Sequence, residues 1–173
     1  MKIKNFEFKA KVESIDKYEN LLLKLTPVSF GTDHQVDTYF NTSNGRLKLR
    51  EIKGKNSSLI DYNRENFAGS KKSEIIFYEH QQDDSLKKIL INQFGVKVIV
   101  DKKRKIYGIG NVRFHFDEVD NLGTFLEVEA IDTSDSLNID ELKKQCDFYY
   151  DYFKIELDQV EELSYSDLIL KKQ

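Results

Sequence analysis

Two short runs of alternating apolar and charged residues, separated by a turn, restrict the possible folds of this chain more than any other feature. They occupy residues 111–131, with the turn at 120–123. Alternation with period two is typical of a half-buried β-strand, and Asp-Asn-Leu-Gly between two such runs is typical of a tight turn. This stretch is therefore predicted to be an antiparallel β-hairpin.

Each strand of this hairpin is expected to have one charged face and one apolar face, because successive side chains of a strand point to opposite sides. The charged faces hold Arg113, His115 and Asp117 in the first strand, and Glu127 and Glu129 in the second. Glutamates two residues apart lie about 7 Å apart along a strand and repel each other unless a cation binds beside them. For a single hairpin, an ordinary strand with its charges in water is the alternative interpretation.

The same division into a charged and an apolar face recurs along the chain. Further strands are predicted at residues 5–13, 36–40, 46–52, 58–65, 73–79 and 96–107, which with the hairpin gives about eight. Their charged positions are Glu7, Lys9, Lys11, Arg46, Lys48, Arg50, Arg64, Lys102 and Arg104. Helical spacing of apolar residues occurs at 14–25, 83–94, 138–153 and 164–170.

The predicted helices decide which strand faces look inward. An amphipathic helix must bury its apolar stripe, and the apolar strand faces are the surfaces that can receive it. The predicted fold is therefore α+β, an eight-stranded antiparallel β-barrel or tunnel with a charged lumen and helices packed on the outside. A single domain over residues 1–173 is expected. A sandwich with solvated charged faces is the alternative, but it leaves the helices without an apolar partner.

Basic residues outnumber acidic ones on the predicted inner face, by nine to four. Buried charges of one sign are costly unless they are paired or bind an ion of opposite charge. A polyphosphate bound with Mg²⁺ or Mn²⁺ would satisfy both groups, since arginine and lysine bind phosphoryl oxygens and carboxylates bind the metal. His115 is interpreted as a hydrogen-bonded lumen residue rather than an acid–base catalyst.

Composition narrows the class of protein further. The net charge of −3 provides no basic field for nucleic acid, so none is expected as a partner. The single cysteine, Cys146, allows no intramolecular disulfide and is expected to be packed, which fits a reducing compartment. Neither a signal peptide nor an apolar run of membrane-spanning length is recognisable. The chain is therefore expected to be cytoplasmic, without a membrane partner.

Several short motifs, in their order along the chain, resemble the CYTH superfamily, also called triphosphate tunnel metalloenzymes. The motifs are Glu7-Phe8-Lys9-Ala10-Lys11, Asp37-Thr38-Tyr39-Phe40, Leu47-Lys48-Leu49-Arg50, Tyr62-Asn63-Arg64, Lys102-Lys103-Arg104, Asp117-Glu118-Val119, Leu122-Gly123, Phe125-Leu126-Glu127-Val128-Glu129 and Ser164-Tyr165-Ser166-Asp167. The resemblance covers nearly the whole chain. It implies an eight-stranded antiparallel tunnel that binds a triphosphate and a divalent metal.

The resemblance also implies roles for individual residues. The expected metal-site acids are Glu7, Asp117, Glu127 and Glu129, which together with Lys11 are the expected catalytic residues. The expected phosphate-binding residues are Lys9, Lys11, Lys48, Arg50, Arg64, Lys102, Arg104 and Arg113. Lys9 departs from the family's Glu-x-Glu-x-Lys pattern, because it stands where the family has its second glutamate. The exchange replaces a metal ligand with a phosphate ligand.

Three functions follow from these expectations. The first is that of a class IV adenylyl cyclase, in which the ribose 3′-oxygen of ATP attacks the α-phosphorus and pyrophosphate leaves. The second is hydrolysis of thiamine triphosphate or inorganic tripolyphosphate. The third is non-catalytic binding of polyphosphate or nucleotide, suggested by Lys9.

The expected partner is a small-molecule triphosphate, and formation of a homodimer is left open. Replacing Arg50 or Arg104 by alanine is expected to weaken triphosphate binding with little cost to the fold.

Overall fold

The computed structural model describes residues 4–64, 73–134 and 136–173, apart from the side chains of residues 63, 64 and 73–75. Its elements in chain order are β1 (Lys4–Lys11), α1 (Ile15–Leu23), β2 (Val28–Phe40), β3 (Arg46–Ile52), β4 (Ser57–Arg64), β5 (Ser73–His80), α2 (Asp84–Phe94), β6 (Val96–Ile109), β7 (Val112–Val119), β8 (Gly123–Asp132), α3 (Ile139–Tyr152) and α4 (Tyr165–Lys172). A short 3-10 helix, Leu157–Gln159, lies between α3 and α4. Residues 65–72, which include the last residue of the strand predicted at 58–65, lie outside the described residues.

The eight strands form one antiparallel sheet in the order β1-β8-β7-β6-β2-β3-β4-β5. Chain neighbours pair as hairpins from β2 to β5 and from β6 to β8, and two longer-range pairs, β2 with β6 and β1 with β8, join these groups. The predicted hairpin is β7 and β8, paired from Val112 opposite Ala130 to Val119 opposite Gly123. The prediction of an eight-stranded antiparallel sheet with helices outside it is confirmed.

Strand β2 is longer than the sequence predicted. Residues 36–40 were expected, whereas the strand runs from Val28 to Phe40. Its first half contains a register shift between Ser29 and Gly31, where Gly31 has a φ of 90°. An irregularity of this kind breaks the two-residue alternation on which the prediction depended. Pairing with β6, rather than local pattern, defines the first half of β2.

Side chains at the helix ends account for where two of the helices begin. Asn138 and Glu141 form a capping box on α3, with the Glu141 amide donating to Asn138 Oδ1 at 2.9 Å and the Asn138 amide to Glu141 Oε2 at 2.7 Å. Asp83 accepts from the Ser85 amide at the start of α2. These contacts satisfy amides that have no partner within the helix.

The apolar faces of β1, β7 and β8 are covered by α1 and α3. Leu22 of α1 and Leu142 of α3 are fully buried, as are Phe114, Leu126 and Val128 on the strands beneath them. Burial of an aliphatic or aromatic side chain contributes about 1.5–3 kcal/mol. This layer therefore fixes which face of the sheet turns outward, and Cys146 is packed within it as expected.

The other two helices complete the structure. Leu90 of α2 packs with Phe40 and Leu49, and Tyr165 of α4 packs with Phe125 and with residues near the ends of β2, β6 and β7. Among the residues that the structure describes, no helix combines the length and the apolar character needed to cross a membrane.

The charged face of the sheet is buried, although α1, α2 and α3 lie on the opposite face. Lys48, Lys102 and Arg104 are each less than a tenth exposed, and Asp37 and Asp117 are almost fully buried. Tyr165 of α4 covers one end of this face, and a flat sheet would leave the rest of it in water. The sheet therefore curls around its own charged side chains. The expected orientation of charged and apolar faces therefore holds in the structure.

Candidate anion and metal site

Three cations converge on one buried carboxylate, that of Asp37 on β2. Strand register places Asp37 directly opposite Arg50, whose Nε and NH2 donate to its two oxygens at 2.7 Å each. Lys48 Nζ lies 2.8 Å from Asp37 Oδ2, and Lys102 Nζ, from β6, lies 3.6 Å from the same oxygen. Three basic groups facing one acid leave an excess of positive charge in a buried position, which is the condition for binding an anion. This group is called the cation cluster below.

The pKa values in the cation cluster follow from burial and from these charges. Although burial opposes the shift, Lys48, Lys102 and Arg50 hold the pKa of Asp37 well below its ordinary value. Burial lowers the pKa of Lys102 to about 7, because the attraction of Asp37 is offset by Arg104, Arg50 and Lys48. The cluster thus holds more cations than its own carboxylate can stabilise.

A second buried pair adjoins the cation cluster. Arg104 on β6 donates to Asp117 on β7 through Nε at 2.7 Å and NH2 at 2.6 Å, and its NH2 also lies 3.4 Å from Glu127 Oε1. The Tyr165 hydroxyl donates to Asp117 Oδ2 at 2.7 Å. Asp117, expected as a metal-site acid, therefore has both oxygens in hydrogen bonds with protein groups.

Two carboxylates and an imidazole lie together on β7 and β8. His115, Glu127 and Glu129 each offer one ligand atom, and these atoms lie within 4.8 Å of one another. Burial, with the charges of Glu7 and Glu127, raises the pKa of Glu129 to about 7. Such crowding of like charge is relieved when a divalent cation binds. Carboxylate oxygens and a neutral imidazole suit Mn²⁺ and related ions, and carboxylates alone suit Mg²⁺, so these residues fit a metal. They are called the ligand group below.

The imidazole of the ligand group has the properties of a metal ligand. His115 Nδ1 lies 2.9 Å from Glu127 Oε1. Burial, together with the nearby Arg104, lowers the pKa of His115, so the ring is neutral at neutral pH. A neutral imidazole retains a lone pair on one ring nitrogen. His115 is therefore suited to hold a metal as well as to orient Glu127.

Strand β1 brings two of the expected residues beside these groups. Glu7 is half-buried and lies opposite Glu129 in the register, at the edge of the ligand group. Lys9 lies opposite Glu127, donates to the Leu163 carbonyl oxygen, and lies 4.6 Å from the centroid of the Tyr165 ring. The family's second glutamate is thus replaced by a lysine that contacts the segment leading into α4.

The remaining expected residues lie apart from the cation cluster. Lys11 is exposed at the end of β1, opposite Phe125. Arg113 lies at the other end of the sheet, opposite Glu129, and donates to the Gly110 carbonyl oxygen at 2.9 Å. The prediction for Arg64 falls on a side chain outside the described residues.

Three contributors to the site were not predicted as site residues. His115 was expected only as a hydrogen-bonded lumen residue, and it lies in the ligand group. Asp37 was on a recognised strand, and pairing that strand with β3 across the turn at 41–45 would have placed it opposite Arg50. Tyr165 reaches Asp117 through tertiary packing, and no spacing in the sequence relates the two. Arg46 was expected on the charged face, and it forms two hydrogen bonds with Asp167, at 3.0 and 3.2 Å.

A curled antiparallel sheet surrounds buried cations and a carboxylate–histidine group, which defines the class as a tunnel-like fold with a charged interior. The family model of the CYTH domain matches residues 4–163, and the chain belongs to the CYTH family. The resemblance seen in the sequence is thereby confirmed.

Solved structures of similar fold come from several organisms. The PH1012 protein of Pyrococcus horikoshii OT3 has a TM-score of 0.82 at 24% identity, over 95% of this chain and 98% of its own. A candidate adenylate cyclase of Vibrio parahaemolyticus has a TM-score of 0.80 at 19% identity, over 96% and 98%. HpAC1 of Hippeastrum, described with a dominant triphosphatase activity, has a TM-score of 0.71 at 14% identity, over 100% and 97%. Comparison with curated proteins gives no match.

Proposed function

We propose that this chain is a divalent-metal-dependent enzyme acting on a small molecule that bears a triphosphate, with adenylyl cyclase as the first candidate activity. The observation that carries the proposal is the cation cluster. Lys48, Arg50 and Lys102 surround a single carboxylate in a buried position, and a bound polyphosphate would neutralise the excess charge. CYTH proteins as a family depend on metal, which agrees with the nearby ligand group.

The proposed roles follow from position. The cation cluster, with Arg104, would bind the phosphates and stabilise the charge that develops on the leaving pyrophosphate. Glu127, Glu129 and His115, with Glu7 at their edge, would hold Mg²⁺ or Mn²⁺. When bound, that ion would supply Lewis-acid polarisation of the phosphoryl oxygens. Asp117, predicted as a metal ligand, would instead orient Arg104, because both of its oxygens accept hydrogen bonds from protein groups. The phosphate-binding roles of Lys9, Lys11, Arg64 and Arg113 and the catalytic role of Lys11 stay predictions.

The second candidate function is hydrolysis of a triphosphate, because the cation cluster can hold the phosphates whatever group they carry. HpAC1, which has a similar fold, is described with a dominant triphosphatase activity, and this supports hydrolysis as the second candidate. The third candidate is a binder without turnover. It is favoured by Lys9, which stands where the family has its second glutamate. Lys9 lies opposite Glu127 and so places a positive charge beside that carboxylate.

The test is incubation of the purified chain with Mg²⁺ or Mn²⁺ and, separately, ATP, thiamine triphosphate or tripolyphosphate. Cyclic AMP with pyrophosphate supports the cyclase, and orthophosphate supports the triphosphatase. Binding without product under either metal supports the third candidate, and Lys9→Glu should then create activity. A chain that binds none of the three compounds contradicts the whole proposal.

A matched pair of glutamates on the hairpin provides the control. Glu127→Gln removes a carboxylate of the ligand group and should abolish metal-dependent turnover. Glu118→Gln changes an exposed glutamate of β7 and should leave turnover unchanged. Equal loss in both variants would mean that the hairpin, rather than the ligand group, is disturbed.

A further inference from the structure

At the end of the sheet beyond the ligand group, an arginine lies over an aromatic ring. The Arg113 guanidinium carbon is 5.0 Å from the centroid of Phe30. Arg113 NH1 donates to the carbonyl oxygens of Gly110 at 2.9 Å and Val112 at 3.3 Å, so the guanidinium is held in position. This cation–π pair is called the stacked pair below.

Gly108 leaves the space that the stacked pair occupies. A β-carbon at Gly108 would lie 2.7 Å from Phe30 Cε2 and 2.9 Å from Arg113 NH1. Residues 102, 104, 106 and 108 of β6 share one face of the strand, so this β-carbon would point to the same side as Lys102 and Arg104. The stacked pair therefore lies on the charged, inner face of the sheet. The register shift in β2 beside Gly31 is what inserts Phe30 there.

The aromatic ring of the stacked pair is accessible. Phe30 is 52% exposed, although Arg113 covers one side of its ring. Val28, which pairs with Gly108, is 62% exposed beside it. An apolar and aromatic rim at the entrance to a charged site is unnecessary for inorganic phosphate. It would suit a ligand that has an aromatic group attached to its phosphates.

The spacing along the strands relates the stacked pair to the phosphate-binding groups. Arg113 is two residues from His115, about 7 Å along β7, and Gly108 is four residues from Arg104, about 13 Å along β6. The order along the inner face is therefore the cation cluster, the ligand group and then the stacked pair. An extended nucleoside triphosphate has the corresponding order of terminal phosphates, inner phosphates and base.

We propose that Phe30, backed by Arg113, is the stacking site for a neutral aromatic base of the triphosphate substrate, and that it gives a nucleotide preference over inorganic tripolyphosphate. The inference rests on the proposed function, because it takes the phosphates to be bound by the cation cluster. It assigns Arg113 to the base end of the ligand, in place of the phosphate-binding role predicted from the sequence. A neutral base is favoured over a cationic ring such as thiazolium, because the guanidinium already supplies positive charge at this position.

The experiment measures equilibrium binding of ATP and of tripolyphosphate by calorimetry in EDTA, so that neither compound is turned over. Phe30→Ala should weaken ATP binding by at least about fivefold, the lower end of base–aromatic stacking. It should change tripolyphosphate binding less than about twofold, because that ligand has no base to stack. Phe30→Tyr should retain ATP binding. Phe148→Ala, at a phenylalanine 59% exposed on α3, is the matched control and should affect neither ligand.

The outcomes separate this inference from the proposed function. If wild-type chain binds tripolyphosphate but Phe30→Ala leaves ATP binding unchanged, or weakens both ligands equally, the stacking site is wrong and the proposed function stands. If wild-type chain binds neither ligand, whether in EDTA or with Mg²⁺ added, the proposed function fails and this inference with it. If thiamine triphosphate loses as much affinity as ATP in Phe30→Ala, the preference for a neutral base is wrong. Circular dichroism of each variant verifies folding.

Discussion

Arg104 and Asp117 face each other across β6 and β7 and are joined by two hydrogen bonds, at 2.7 and 2.6 Å. The Asp117 side chain is fully buried, and its second oxygen also accepts from the Tyr165 hydroxyl. A buried carboxylate with three donors is stable only while those donors remain. The pair therefore supports the fold as well as the candidate site.

Arg104→Ala is expected to destabilise the protein by about 3–5 kcal/mol, the usual cost of leaving one member of a buried ion pair alone. The sequence alone predicts little cost to the fold, and the buried pairing with Asp117 changes this prediction. Denaturant unfolding measures the free energy directly. Lys103→Ala, at the exposed neighbouring position on β6, is the control and should have almost no effect. A loss below about 1 kcal/mol for Arg104→Ala would contradict the pairing.

Asp37→Asn should reveal the excess charge of the cation cluster. The change leaves Lys48, Arg50 and Lys102 without their carboxylate, so the free energy of unfolding should fall by about 3–5 kcal/mol. Tripolyphosphate should then raise the melting temperature of the variant more than that of wild type, because it replaces the lost negative charge. Asp61→Asn, at an exposed position on β4, is the control. An equal ligand-induced shift in variant and wild type would argue against phosphate binding at Asp37.

Triphosphate binding is expected to be linked to proton uptake by Lys102. Its pKa of about 7 makes the amine mostly neutral at pH 8 in the free protein. Bound phosphate oxygens favour the charged form, so the pKa rises and a proton is taken up. Calorimetry of tripolyphosphate binding at pH 8, in buffers of different ionisation enthalpy, counts the protons. Lys102→Arg, which stays charged throughout, should take up fewer protons than wild type. Equal uptake in the two proteins would place this titration elsewhere.

Alternation along individual strands was sufficient to predict which charged residues share the inner face of the sheet. It assigned Lys48, Arg50, Lys102, Arg104 and Glu127 to charged strand faces, and these faces are buried in the structure. Local pattern could not supply the pairing across strands, which is what makes Asp37 the partner of Arg50.

Two further features depend on tertiary structure. The first half of β2 is a strand because β6 pairs with it, despite the irregularity at Gly31. Tyr165 reaches Asp117 because the segment before α4 runs along β1, where the Glu161 amide donates to the Lys9 carbonyl oxygen at 2.8 Å. The sequence of residues 161–165 does not indicate that Glu161 pairs with Lys9 or that Tyr165 contacts Asp117.

Glu129→Gln should increase stability and decrease metal binding, because the same like-charge crowding governs both. The pKa of Glu129 is raised to about 7 by burial and by the charges of Glu7 and Glu127, so ionised Glu129 opposes folding at pH 8 when no metal is present. A neutral amide removes that repulsion, and Asn5 Nδ2, now 2.7 Å from Glu129 Oε1, can still donate to the amide oxygen. The free energy of unfolding in EDTA should rise by up to about 3 kcal/mol, the upper limit that a pKa raised to about 7 sets. Added Mn²⁺ should then stabilise wild type more than the variant, since the variant has lost a carboxylate ligand.

Glu141→Gln would disturb a helix cap, so the exposed Glu118→Gln is the better control. A variant that is less stable than wild type in EDTA, or equally stabilised by Mn²⁺, would show that Glu129 serves the fold and not a metal.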